Sequence, residues 1–350
     1  MLTNEQLQEI REHLEKAQNP VFFFDNDIDG LISFILLRRK IDRGKGVAIK
    51  SFPELDASYI KRVDELNSDY IFILDKPLVS DEFIEESKKR NIPLVWIDHH
   101  EPNIKIKNDL LFHYYNPFFS DKKDEIPTSY ICYEAVRRKE DLWFAMAGCL
   151  GDNYMPYFSE EFSKKYPELW SKDVKSAFQA LYETEFGKLI IILGFALKDR
   201  TTNVISMINY LFKVRHPSDI LVENQENSKI LRRYEQVKKS YLKLLEKAKY
   251  IARSGRKVIF FQYGGDMSLS ADLANELHYR FPGKVILVAY LKGNIANISV
   301  RGKEDVRKVT LKAVKQIDNA TGGGHKNATG AKVMVEDLKK FVKVFEEEFD

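Results

Sequence analysis

The sequence offers little sulfur chemistry. Two cysteines, Cys132 and Cys149, occur in 350 residues, neither at metal-ligand spacing and both in apolar, helix-like surroundings. That excludes a disulfide scaffold and a thiolate metal site, and both thiols are expected as buried small hydrophobes in a reducing compartment. Long hydrophobic runs are missing too. The longest, Leu189 to Leu197, falls far short of the ~20 residues a membrane span requires. Met1 to Gln18 is charged and amphipathic rather than a leader, so the expectation is a cytoplasmic protein with no membrane partner. No repeat or low-complexity segment interrupts the chain. Charge of one sign is scarce: the net charge is +3, too small by itself to imply nucleic acid.

What is present reads as globular. Hydrophobic residues make up 44% and charged residues 31% of a chain long enough for two cores. The charge is unevenly spread. From Arg256 to Lys332 there are 13 Lys/Arg against 6 Asp/Glu, and a basic C-terminal region suits an anionic ligand.

The first 150 residues alternate between two periods. Apolar runs at Pro20–Phe24, Gly46–Phe52, Asp69–Leu74, Pro93–Ile97 and Leu110–Tyr115 predict strands. Between and after them Leu31–Ile41, Tyr59–Leu66, Asp81–Arg90, Thr128–Arg138 and Leu142–Leu150 predict helices. Runs such as VFFF, IFIL and LVWI are apolar throughout, as expected where both faces of a parallel sheet are covered. The fold class is therefore α/β, with an N-terminal doubly wound parallel-sheet domain over 1–158. Residues 159–254 read as a helical segment. It ends in one long amphipathic helix, Ser228–Ala252, that connects the domains, and Ser254-Gly255 stops it. A smaller α/β domain over 255–350 follows, with strands at Val258–Tyr263, Val285–Leu291, Asn294–Arg301 and Ala331–Val335. Its helices are expected at Ser270–Tyr279, Asp305–Ile317 and Leu338–Phe349, and Thr321–His325 is expected as a glycine loop.

Three predicted strands of the first domain end in acids: Asp25, Asp27 and Asp29 after VFFF, Asp75 after IFIL, and Asp98-His99-His100 after LVWI. A fourth group, Gly151-Asp152-Asn153, follows the helix ending at Leu150. In open α/β sheets the ligand site lies beyond the carboxyl ends of the strands, so these groups should converge. Five or six carboxylates gathered there could not all stay ionised without cations between them. Oxygen donors with imidazole suit Mn²⁺ or Mg²⁺ better than a thiolate-seeking metal. Two ions ~3.5–4 Å apart, sharing a carboxylate, would support in-line attack of water on phosphorus. Each piece alone has a plainer explanation. Asp29 could cap the next helix, Asp75 before Lys76-Pro77 could be a turn acid, and a His-His pair is more often core or surface than ligand. Their recurrence at the same end of successive strands favours the metal centre.

FFFDNDIDG, FILDKP, WIDHH and CLGDN resemble, in order and spacing, the four motifs of the DHH phosphoesterase superfamily. TGGGHKNATG, with Arg301 in NISVRG upstream, resembles the accessory DHHA1 domain. The resemblance implies two Mn²⁺ or Mg²⁺ ions held by Asp27, Asp29, Asp75, His99 and Asp152, with Asp75 bridging. It implies that Asp98 orients an imidazole and that His100 contacts the scissile phosphate. Many members carry a His four residues before the first paired Asp, where this chain has Phe23. Asp25 stands two residues nearer, as in RecJ-type DxDxDG sequences, and is expected to supply the missing ligand. In the C-terminal domain Gly322, Gly323 and Gly324 would let a substrate approach the backbone closely. His325 and Arg301 would add donors for phosphate. Lys303, Arg307, Lys308 and Lys326 would line a path for nucleic acid, although a solvated helix face explains Arg307 and Lys308 as well.

Within the superfamily the DNDIDG form and the long helical segment are similar to the compact archaeal RecJ-like exonucleases of replication and repair, which degrade single strands to mononucleotides. A single-stranded nucleic acid and a repair helicase or replication-complex protein are the expected partners. The competing expectation is a nanoRNA or phosphoadenosine-phosphate phosphatase with the same domain order. A catalytically degenerate replication scaffold is disfavoured because the acids of all four motifs are present.

Overall fold

Strand-forming runs in the first half assemble into one sheet because each is apolar on both faces and can be buried only between layers. In the computed structural model, which describes residues 1–49, 54–102, 108–120, 126–171 and 173–350, the chain divides into two units, Met1–Tyr234 and Glu235–Asp350.

The first unit contains β1 (Pro20–Asp25), β2 (Lys45–Ile49), β3 (Glu54–Leu55), β4 (Tyr70–Leu74), β5 (Leu78–Val79), β6 (Leu94–Ile97) and β7 (Phe112–Tyr115). Its helices are α1 (Asn4–Lys16), α2 (Ile28–Ile41), α3 (Ile60–Glu65), α4 (Asp81–Lys89), α5 (Thr128–Val136) and α6 (Leu142–Gly151). Shorter helices follow: α7 (Ser159–Lys165), α8 (Ala177–Glu183), α9 (Glu185–Ala196), α10 (Thr201–Leu211) and α11 (Ser218–Leu221). The main sheet has the order β2-β1-β4-β6-β7 and every pairing in it is parallel. Strand order reverses at β1, so the crevice between the carboxyl ends of β1 and β4 is the expected binding position. Side chains alternate across the sheet. Val21 and Phe23 join Ile71, Ile73, Leu94 and Trp96 in a core with Phe83 of α4, whereas the Phe24 ring stacks on Phe34 of α2 at 5.0 Å. Each fully buried Phe contributes about 2–3 kcal/mol.

The predicted strand Gly46–Phe52 is found as β2 through Ile49, and residues 50–52 lie outside the described ones. Leu110, expected to open β7, is 94% exposed and precedes it.

The helix α12 (Ser228–Ala252) carries a buried stripe of Ile230, Tyr234, Val237, Tyr241, Leu245 and Ala248 at spacings of three and four, and the boundary between units falls within it. The second unit holds β8 (Val258–Gly264), β9 (Val285–Lys292), β10 (Ile295–Arg301), β11 (Thr321–His325) and β12 (Ala328–Met334), with α13 (Ser270–Arg280), α14 (Val306–Val314) and α15 (Leu338–Phe349). The order is β11-β12-β10-β9-β8; β8 and β9 run parallel and the other pairs antiparallel. Leu287, Ile298, Val300, Val309, Phe341 and Phe345 form its core. Thr321–His325 is a strand and not the expected loop: its three glycines pair with Ala331, Gly330 and Thr329. Backbone pairing to β12 overrides the low strand preference of glycine. Among the described residues no helix is long and apolar enough to cross a membrane.

Candidate metal centre

β1 ends at Asp25 and the chain enters α2 almost at once. Asp27 caps that helix, its carboxylate accepting from the Gly30 N–H at 2.9 Å. The turn is tight enough that a Cβ on Gly30 would lie 2.5 Å from the Asp25 carbonyl oxygen, so the position requires glycine. Asp29 is thereby buried in the first turn of α2. Its two oxygens accept from the backbone N–H groups of Thr128 at 2.7 Å and Ser129 at 2.9 Å. Those amides belong to the first turn of α5 and have no partner within that helix. Asp75 closes β4 with φ +58°, a left-handed conformation that Asp tolerates better than most residues, and the Thr128 hydroxyl donates to it at 3.3 Å.

The segment after β6 brings the imidazoles. His99 Nε2 lies 3.2 Å from Asp152 Oδ2 and 3.3 Å from Asp75 Oδ1. His100 turns its Nδ1 toward Asp98 at 2.8 Å. Asp98 is buried and also accepts from the His100 N–H, the Tyr114 hydroxyl and the Asn116 amide. Asp152 reaches the centre from the carboxyl end of α6. The donor atoms of Asp29, His99 and Asp152 lie within 4.8 Å of one another, as do those of Asp75, Asp98 and His100.

This gathering is electrostatically costly. Burial and then Asp152 push the Asp29 carboxyl up to about 7. Burial, with Asp29, Asp27, Asp152 and Asp25 around it, holds Asp75 well above the usual carboxylate range. Burial, followed by His100, lowers His99 to about 4, so its ring is neutral, the form that ligates a metal. Burial would lower His100 as well, but Asp98 outweighs it by charge and hydrogen bond and carries His100 up to about 9. Buried carboxylates driven toward protonation by one another, beside a neutral imidazole, form an oxygen-rich donor set that fits a divalent cation such as Mn²⁺ or Mg²⁺.

Of the residues predicted for the site, Asp29, Asp75, Asp98, His99, His100 and Asp152 come together. Asp27 is exposed at the rim. Asp25 receives the Nζ of Lys76 at 3.2 Å, and that lysine is fully buried. Burial and Asp27 still push Asp25 up to about 6. The Phe23 ring, at the position where a His is expected, packs edge-on against Phe83 and Tyr59 in the core. Sequence reasoning misses Lys76, Thr128, Ser129, Tyr114 and Asn116. Only Lys76 carries a signal, as a cation directly after a strand-ending acid. In the second unit, Arg301 and His325 both sit level with Ala328 from opposite sides of β12, which puts the three on one face of the sheet. Arg301 donates to Asn275 at 2.5 Å and to the Val300 and Thr329 carbonyls.

Residues 254–350 match the family model of the DHHA1 domain. The whole chain aligns with the manganese complex of RecJ from Thermus thermophilus at TM-score 0.70 and 15% identity, spanning 56% of that chain. All of it also aligns with a second manganese-bound exonuclease RecJ at TM-score 0.66 and 15% identity, covering 96% of that chain. The DHH domain of a member of the s1p family of ribosomal proteins matches 98% of this chain and 90% of its own at TM-score 0.69 and 14% identity. Likeness at these identities is likeness of fold. No curated protein matches in sequence.

Proposed function

From a chain whose residues 254–350 match the DHHA1 domain and whose fold is similar to that of RecJ, we propose that it is a metal-dependent phosphodiesterase of the DHH type. Its action would be that of a RecJ-like exonuclease degrading single-stranded DNA or RNA to mononucleotides. The observation that carries this reading is the convergence of Asp29, Asp75, His99 and Asp152 beyond the carboxyl ends of β1, β4 and β6, where the carboxylates are buried and repel one another.

Bound there, two Mn²⁺ or Mg²⁺ ions would polarise the phosphoryl group and activate water. The chain's own residues do the rest. Asp29, Asp75, His99 and Asp152 would hold the ions, with Asp27 at the rim, and Asp75 lies 3.3 Å from His99 and 4.0 Å from His100. Lys76 offsets the charge of Asp25 and so limits what Asp25 can add as a ligand. Asp98 keeps His100 protonated at neutral pH, so His100 donates to a phosphate oxygen and stabilises charge that grows during the reaction. In the second unit Arg301, His325 and the Gly322–Gly324 backbone form the grip for the strand. The helices between 159 and 234 exceed what a connector needs, and to them we assign the docking of a repair helicase or replication-complex protein. A pull-down that recovers neither would remove that part.

The test is cleavage of end-labelled single strands with Mn²⁺, wild type against Asp75→Ala. Wild type should shorten long strands to mononucleotides and Asp75→Ala should be at least about 10²-fold slower. Cleavage confined to a few nucleotides, or phosphate released from a bisphosphate, would replace the exonuclease by a small-nucleotide phosphatase. Equal, undetectable cleavage by both proteins would end the nuclease reading.

A further inference from the structure

The residues that follow Asp152 build an aromatic cluster with one exposed member. α5 carries Tyr130 and, three and four residues on, Tyr133 and Glu134 on neighbouring faces, with Arg137 capping its carboxyl end. The turn after α6 lays Tyr154, Tyr157 and Phe158 over this stretch. Tyr130 stacks on Phe158 at 5.8 Å and meets Tyr154 and Tyr157 edge-on at 5.8 and 6.1 Å. Tyr157 packs edge-on against Phe158 at 5.3 Å. Tyr130, Tyr133 and Phe158 are buried, whereas Tyr157 is 65% exposed.

An exposed tyrosine is ordinarily free to swing; this one is held. Its hydroxyl donates to Glu134 Oε1 at 2.9 Å. Glu134 is 3% exposed, and its other oxygen takes the Arg137 guanidinium at 2.5 Å. A plainer explanation is that Tyr157 is needed to satisfy a buried carboxylate, but Arg137 already neutralises Glu134. What the hydroxyl adds is orientation. A held ring that is largely exposed loses little entropy on contact and can offer a π-surface to any nucleobase.

Its place matters. α5 begins at Thr128, whose hydroxyl and amide bind Asp75 and Asp29. Glu134 lies six residues on, about 9 Å along the helix, the length of two or three stacked base steps of ~3.4 Å. From the other side, Tyr154 is two residues past Asp152. We propose that Tyr157 is a base-stacking platform that makes the centre prefer strands bearing bases, an inference that rests on the nucleic-acid reading above.

The experiment uses the full chain and fluorescein-labelled single strands of equal length, one with bases and one with abasic residues near the cleaved end. Anisotropy gives binding, and Mn²⁺-dependent cleavage gives KM and kcat. Wild type should bind the base-bearing strand about tenfold more tightly. Tyr157→Leu should lose that factor as a rise in KM, with kcat and the abasic strand changed less than about twofold. Tyr157→Phe keeps the ring, leaves Glu134 paired with Arg137, and should retain most of the preference, which also answers a folding defect in the Leu variant. Equal losses on both strands, or no loss, would overturn the platform while leaving the nuclease intact. A wild-type protein that neither binds nor cuts either strand would overturn the nucleic-acid reading, and the platform with it.

Discussion

In the N-terminal unit the groups that carry chemistry lie under cover: Asp29, Asp75, Asp98 and His99 are buried at the ends of apolar strands. In the C-terminal unit Arg301 and His325 are half-buried at one end of an open sheet, beside a glycine strand that presents backbone rather than side chains. The first arrangement stores electrostatic repulsion among acids that a cation would relieve. The second gathers cations instead, Arg301 and Lys303 lowering His278 after burial, and is shaped for contact with an anion. The difference separates a gathering of acids that a cation would relieve from a gathering of cations that an anion would relieve, and the two should answer differently to pH, to metal and to substitution.

The largest expected effect is on stability without metal. Asp29 and Asp25, pushed up to about 7 and about 6, keep protons in the folded chain that the unfolded chain releases near pH ~4. At these two groups the folded state binds more protons as pH rises from 4 to 7, which lowers stability. His99, held neutral down to about 4, opposes them below ~6.5, so the net decline falls above that, where His100, raised to about 9, adds to it. For Asp29 alone the change is on the order of a few kcal/mol. Thermal melts in EDTA across pH 4–8 should show this decline, and saturating Mn²⁺ should abolish it. A metal-free profile that stays flat above pH ~6.5 would mean the carboxylates are not gathered as described.

Removing the support of His100 comes next. Asp98→Asn removes the carboxylate that bonds His100 Nδ1. It should release His100 from about 9 to its ordinary 6.5 or below. The variant's grip on a non-hydrolysable nucleotide should then weaken between pH 6 and 8, where wild type holds constant; titration calorimetry would detect it. Parallel pH profiles for the two proteins would contradict that role for Asp98.

The smallest effects distinguish two neighbouring glycines of the second unit. A Cβ on Gly323 meets nothing within 4 Å, whereas on Gly324, at φ +128°, it would lie 2.6 Å from the Ala328 carbonyl oxygen. Gly323→Ala should leave Tm unchanged and weaken strand binding several-fold, by blocking close approach. Gly324→Ala should cost about 1–3 kcal/mol of stability. Denaturant melts and anisotropy on both variants check the pair. If Gly323→Ala bound like wild type, β11 would not face the substrate.

Much of the centre is legible in the sequence because its acids stand where an apolar run stops, a local signal that needs no knowledge of packing. Asp75 after IFIL and His99 after LVWI are of this kind. The clasp between Asp29 and the amides of Thr128 and Ser129 is not legible, since it joins positions about a hundred residues apart and depends on how α5 meets the sheet. Lys76 is visible in sequence but reads as part of a turn; only burial shows that it faces Asp25. β11 reads as a loop because glycine carries no side-chain preference for a strand, and its extended state comes from a neighbour. Phe23 reads as an absence, and its ring is found in the core with Val21 and Phe83.

The clasp on Asp29 has a geometric consequence. Each of its carboxylate oxygens already spends one lone pair on an amide of α5, so the carboxylate cannot spin about its bond to suit an arriving ion. Only the remaining lone pairs are on offer, in directions set by the helix. The vice is preorganised, and ions that demand a particular angle of approach would be sorted by the backbone before any side chain moved.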